Sequence, residues 1–193
     1  MIKYLGSKRR LIPVLEDLFV RSGACTALDM FTGTTRVARS FKAAGAHVTA
    51  VDMTRYAEVL ARCYIATDAD LVDSDRLAAE VARLNGLPGR RGYFTETFCE
   101  TARYIQPFNG ERIDAIRDDL EQHGDDPLFP VLLTSLIEAA DRVGVQDRQH
   151  ADVLVGMESR RGVAPRAGRV VQQGHVGERC LHRRGHLPSV DAE

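Results

Sequence analysis

No two of the four cysteines stand in a CxxC spacing, no apolar run reaches the ~18 residues that cross a bilayer, and neither sign of charge is in excess. Each absence closes a class of function. Cys25, Cys63, Cys99 and Cys180 are too scattered for a zinc ribbon or a disulfide framework, which points to reduced thiols in a cytosol. The opening MIKYLGSKRRLIPVL has no apolar core of signal-peptide length, so a cytoplasmic protein without membrane attachment is expected. With 26 Lys and Arg against 27 Asp and Glu, no global field draws in a polyanion, and any nucleic-acid contact must come from a local patch. There is no Ser-His-Asp arrangement and no phosphate-cradling P-loop.

What is present divides near Val143. All seven Phe and all five Tyr precede that point, together with 18 basic and 21 acidic side chains. From Gly144 to Glu193 come eight Arg, seven Gly and four His, but no Lys, Phe, Tyr or Ile, so the last 50 residues have little with which to build a core. The chain is 44% hydrophobic, enough for one sizeable core or a core with a small lobe. Three segments are expected: a βαβ half over 1–86, a helical lobe over 87–143, and a low-information tail over 144–193, disordered or frame-shifted. His175, Cys180, His182 and His186 could be a metal cluster, but no framework holds them in that tail, and a chance excess of His is the blander reading.

Apolar spacing maps the first 143 residues. Ser7 can cap a helix with Leu11, Leu15, Leu18 and Phe19 on one face, ended by Ser22-Gly23. Ala27 to Phe31 reads as a short strand, Val37, Ala38 and Phe41 as the inner stripe of a helix closed by Gly45, and His47 to Asp52 as a second strand. Strand, turn, helix and strand within about 25 residues make a βαβ unit with parallel strands. Further helices are expected at Ala57 to Ile65, from a Ser74 cap to Gly86, and, beyond the LPGRRG loop, at Thr95 to Ile105, Glu111 to Gln122 and Pro127 to Val143.

The turn ALDMFTGTTRVA carries the chemistry. A ligand at the carboxyl ends of parallel strands meets the loop after the first strand, and Gly33 lets the backbone come close because it has no Cβ. Asp52, 23 residues after Asp29 and 19 after Gly33, ends the second strand, where a carboxylate can accept hydrogen bonds from the vicinal hydroxyls of a ribose. A dinucleotide site wants GxGxxG, and FTGTTRVA keeps one of those glycines, so a nucleoside without phosphate fits better. S-adenosylmethionine is such a ligand, with Asp29 placed near its ammonium. A turn glycine and an acid that merely caps a helix would give the same pattern.

Lys3-Tyr4-Leu5-Gly6-Ser7-Lys8 resembles the amino-terminal cofactor motif of the D12-type DNA adenine-N6-specific methyltransferases, and DMFTGTTRVA resembles the FxGxG motif that follows it. The likeness extends through YFTETFCETARYIQPFNGERIDAIRDDLE and LLTSLIEAADRV to cover roughly residues 2 to 143, the later part resembling the family's helical insertion, part of the target-recognition region. The resemblance implies a partial Rossmann-like α/β methyltransferase fold with that insertion. It implies site-specific methyl transfer from S-adenosylmethionine to adenine N6 in double-stranded DNA, of the kind found in restriction-modification, by in-line displacement and without a metal. Residue by residue it implies that Tyr4 and Lys8 contact the cofactor beside Gly6, that Phe31 and Gly33 shape the pocket, and that Asp52 binds the ribose. From the residues alone, Tyr4 is also a hydrophobic staple and Lys8 a solvated first-turn residue.

The chain departs from the family at two places. Thr35 stands where many members have a second glycine, and its side chain would either crowd the ligand or cap the following helix. The sequence contains no Pro-Pro, so the Asp-Pro-Pro-Tyr motif with which the family holds a flipped adenine is missing, and no catalytic residue is assigned. A chain truncated or frame-shifted ahead of that motif is the expectation, which leaves open a non-catalytic remnant or binding module, or a methyltransferase for RNA or a small molecule. Arg9, Arg10, Arg90 and Arg91 could meet phosphate or be ordinary surface charges, and Glu96, Glu100, Asp118 and Asp119 read as a solvated helix face.

Overall fold

The computed structural model describes residues 8–143. A 3₁₀ turn over Lys8–Leu11 leads into helix α1 (Ile12–Ser22), with Pro13 in its first turn, and Gly23 ends it at φ 66°, donating its N–H to the Val20 carbonyl. Strand β1 (Thr26–Asp29), helix α2 (Arg36–Ala43) and strand β2 (His47–Ala50) follow. The strands pair in parallel with Thr26 opposite His47 and Asp29 opposite Ala50, as the βαβ reading requires. Both are shorter than the apolar runs suggest. Beyond Asp29 and Ala50 the chains still exchange hydrogen bonds, Val51 N–H to Asp29 and Thr32 N–H to Val51, but they are already bending into the loops that form the site. Gly45, at φ 90°, makes the left-handed exit from α2.

After β2 come helix α3 (Arg55–Ala61), continued by a π turn over Arg62–Ala66, then helix α4 (Ser74–Asn85), a second π turn over Thr95–Thr101, helix α5 (Pro107–Gln122) and helix α6 (Phe129–Arg142). Three boundaries differ from the sequence map. Asp73, not Ser74, caps α4 by accepting from the Asp75 and Arg76 N–H groups, an earlier start between two adjacent capping residues. Helix α5 begins at Pro107, whose fixed φ suits a first helical position. The segment at Thr95 winds as a π turn and stops at Thr101, ahead of Arg103 in a left-handed conformation at φ 57°.

Two apolar cores result. Ala38, Ala46, Val48 and Ile65 pack with Phe19, Ala27, Phe41 and Tyr64 on one side of the sheet. Val81, Leu84, Ile113, Ile116, Leu120, Leu128, Leu132, Leu136 and Ala139 form the larger core of the helical lobe, so α4, which the division at 86/87 assigns to the cofactor half, contributes side chains to that lobe. Leu11 and Leu18 do not share a buried face with Phe19: both are exposed, because α1 turns only one flank, carrying Phe19 stacked at 4.9 Å on Phe41, towards α2. Among the described residues no helix is long and apolar enough to cross a membrane. Cys63, half-buried, and Cys99, buried, are free thiols.

A buried carboxylate organises the helical lobe. Asp114 of α5 accepts hydrogen bonds from the N–H groups of Gly92, Phe94 and Thr95 and from the Thr95 hydroxyl, at 2.7 to 3.0 Å, and so fastens the start of the second π segment to α5. Asp114→Asn turns an amide NH₂ towards at least one of these donors. We expect a loss of roughly 2–4 kcal/mol in chemical denaturation; an unchanged midpoint would refute this role for Asp114.

Candidate cofactor site

The loops at the carboxyl ends of β1 and β2 meet through Asp52. Its Oδ2 accepts the Gly33 N–H at 2.9 Å, and its Oδ1 accepts the Thr54 N–H at 3.0 Å and the Thr54 hydroxyl at 2.9 Å. The Thr54 hydroxyl in turn accepts from the Ala57 N–H and caps α3. Asp52 thus ties the glycine turn to the first turn of the next helix. These donors, the Gly33 N–H foremost and then Thr54, hold its carboxyl below the usual carboxylate range. A carboxylate offers about four lone-pair positions. Thr54 occupies both at Oδ1, so Oδ2 keeps one free position for a ligand hydroxyl, and a second vicinal hydroxyl is accepted only where Thr54 yields.

Lys8, Asp29 and Phe31 come together on the other side of the turn. The Lys8 ammonium donates to the Phe31 carbonyl at 3.2 Å and lies 3.6 Å from Oδ1 of Asp29, so Lys8 is not merely solvated. Asp29 is buried, with 7% of its surface exposed, and its Oδ2 has no hydrogen-bond partner among the described residues. The hydroxyl of buried Thr32 is unpartnered in the same way. The Phe31 ring is 71% exposed, a large apolar surface beside polar groups. Tyr4 and Gly6 lie outside the described residues, as do Ser7 and the His175, Cys180, His182 and His186 group.

Gly33 adopts φ 49° and Thr35 φ 60°. Thr35 stands at the N-cap of α2 without capping it: the left-handed backbone turns its side chain into the protein, fully buried, and its hydroxyl donates to the Thr34 carbonyl. Of the two sequence readings for Thr35, capping is thereby set aside. The residue also holds a conformation that β-branched side chains disfavour.

A cavity of ≈ 350 Å³ opens between β2 and the helix after it, lined by Thr32, Val48 and Asp52 and, across from them, by Ala57, Glu58 and the π-turn residues Arg62 and Ile65. Asp29, Phe31 and Gly33 border the turn but not this cavity. Sequence reasoning missed the far wall, since helical periodicity carries no mark of a π turn. The candidate phosphate contacts are partly spent elsewhere: Arg90 pairs with Asp118, and Arg91 with Glu96 and Glu100 at 2.7 Å. With Asp119 paired to Arg83 at 2.6 Å, the four acids expected to form a solvated face are ion-pair partners. Among the described residues no group of His, Cys, Asp and Glu could hold a metal ion.

A parallel βαβ unit with a glycine turn clasped by a strand-end acid, followed by a helical lobe, defines a class that comparison with known proteins makes specific. Residues 4–150 match the family model for D12 class N6 adenine-specific DNA methyltransferases, and the chain belongs to that family. Over 156 residues it is 32% identical to the Type II methyltransferase M.NlaIII of Neisseria lactamica, an alignment covering 74% of this chain and 46% of that protein. The chain therefore spans about half the length of this relative. No solved structure matches it.

Asp52 has its pKa lowered by folding, so its contribution to stability is present above the ordinary carboxylate pKa and disappears as pH falls through the lower folded-state value. Relative to Asp52→Asn, the native chain should gain at most about 1 kcal/mol at neutral pH, because the group is half-exposed and screened. That gap should close below about pH 4. Denaturant titrations of both proteins across pH measure it, and a gap constant with pH would contradict the clasp.

Proposed function

We propose that residues 1–86 form the cofactor-binding half of an S-adenosylmethionine-dependent, Rossmann-like DNA methyltransferase domain and residues 87–143 part of its target-recognition region, acting on adenine N6 in double-stranded DNA in the cytoplasm. The observation that carries this reading is the pair of buried side-chain oxygens without a hydrogen-bond partner among the described residues, Asp29 Oδ2 and Thr32 Oγ1, just ahead of a glycine turn held by Asp52. Leaving such atoms unsatisfied costs about 1–3 kcal/mol each. A ligand with an ammonium and ribose hydroxyls would relieve that cost. Family membership and the likeness to a Type II methyltransferase support the same cofactor and substrate.

In this reading Asp29, whose charge Lys8 only partly balances at 3.6 Å, receives the cofactor ammonium. Oδ2 of Asp52 accepts a ribose hydroxyl. The exposed Phe31 ring and the backbone at Gly33 border the methionine portion, and the resemblance of the amino-terminal motif to the family's adds Tyr4 and Gly6 as cofactor contacts. The cavity beyond Asp52 suits the nucleoside, its volume lying within the about 300–1,000 Å³ usual for small-molecule sites. Bound there, S-adenosylmethionine supplies an electrophilic methyl carbon; the protein's part is to hold and orient it. The groups that would grip the adenine are not assigned, since the sequence contains no Pro-Pro. That same observation favours, as a second reading, a chain that binds the cofactor without transferring its methyl.

Calorimetric titration with S-adenosylmethionine tests the site, and methyl incorporation into adenine-containing duplex DNA, with RNA as control, tests the activity. Asp29→Asn should weaken cofactor binding at least tenfold while leaving the folded spectrum unchanged. Heat of binding absent from the unaltered chain would overturn the proposal; binding without incorporation would establish the second reading.

A further inference from the structure

The π turn over Arg62–Ala66 faces two ways. Arg62, Ile65 and Ala66 line the cavity beside Asp52. Tyr64, between them, points to the helical lobe, where its hydroxyl donates to Glu138 Oε1 of α6 at 2.6 Å, across 74 residues of sequence. The guanidinium of Arg39, from α2, lies over the same ring at 4.1 Å from its centre. The Lys42 ammonium, also from α2, donates to the carbonyls of Tyr64, Ile65 and Thr67 at 3.0 to 3.2 Å. Helix α6 packs on both α3 and the π turn. A turn fastened by its carbonyls to one lobe and by a side chain to the other cannot shift its cavity-lining residues without pulling on α6.

We propose that Tyr64 is a positioning residue that sets the π-turn wall of the cofactor cavity from α6, so that occupation of the cavity and the order of the helical lobe are coupled. This rests on the cofactor reading above. A π turn lacks the regular i→i+4 ladder and occurs often at functional sites, which makes it the place where a helix can adjust at small cost. The Tyr64 hydroxyl is buried and donates to a carboxylate, and both circumstances push its pKa up, so it stays a donor at all physiological pH. Cofactor closing on Arg62 and Ile65 would hold Tyr64 against Glu138, and by linkage a partner that orders α6 would strengthen cofactor binding by the same factor.

Hydrogen exchange read by mass spectrometry, with and without saturating S-adenosylmethionine, tests the coupling on the full chain. In the unaltered protein the cofactor should slow exchange both at 62–66 and along 129–142. In Tyr64→Phe the protection at 62–66 should persist while that along 129–142 falls at least threefold. Glu138→Gln keeps a carbonyl acceptor for the Tyr64 hydroxyl and should restore the α6 response, whereas Glu138→Ala should abolish it; this pair serves if Tyr64→Phe folds poorly. An α6 response equal in all four proteins, or missing from the unaltered one when calorimetry shows the cofactor bound, overturns the coupling alone. No binding in calorimetry overturns the cofactor reading and the coupling with it.

Discussion

The hydrogen bond from Gly33 N–H to Asp52 Oδ2 is the constraint around which the amino-terminal lobe is organised. Two parallel strands of four residues each make a weak sheet, and an isolated two-stranded pair is marginal in water. Packing from α1 and α2 supports one face, through Phe19, Phe41 and Ala38, while Leu28 within β1 and Val51 just past β2 stay exposed. What keeps the two carboxyl-terminal loops in register is therefore a short chain of polar links: Val51 N–H to Asp29, Thr32 N–H to Val51, and Asp52 to Gly33 and Thr54. Each is individually weak. Their value lies in acting on the same few residues, so that the turn carrying Asp29 and Thr32 and the start of α3 move together.

The site was legible in the sequence where its logic is local. Gly33 and Asp52 stand out because a turn glycine and a strand-end acid are marked by the residues beside them, and the structure brings those two into direct contact. Lys8 was implied by resemblance alone, and its place beside Asp29 and Phe31 follows from the 3₁₀ turn over Lys8–Leu11, which brings its ammonium to the β1 loop. The fully buried, left-handed Thr35 was beyond reach. Threonine carries no signal for positive φ, and the preference it does carry, for an N-cap, pointed to the wrong role.

Misplaced elements share a cause. Periodicity says that a helix has an apolar stripe, not which neighbour covers it, so Leu11 and Leu18 were placed with Phe19 although only Phe19 meets α2. Adjacent capping residues, Asp73 and Ser74, compete within one position, and the one that reaches two free N–H groups wins. Arg91 and Glu100 or Tyr64 and Glu138 become partners only after the lobes have folded, and nothing in the spacing of such pairs marks them. The βαβ unit and the helices after it were therefore easier to read than the polar wiring between them.

That wiring converges on α2. At its amino end the helix begins from the Gly33 and Thr35 turn, and within its last turn and a half Arg39 and Lys42 grip the π turn that walls the cavity. An eight-residue helix is about 12 Å long and stiff on that scale. Burial lowers the pKa of Lys42, a cost offset by the hydrogen bonds that its ammonium donates to the Tyr64 and Ile65 carbonyls of the π turn and to the Thr67 carbonyl just beyond it. The glycine turn on one side of the site and the π turn on the other are thus referenced to a single rigid body. The strained Thr35, at φ 60°, stands at the start of that same helix, so the glycine turn and the far wall of the cavity share α2 as their support.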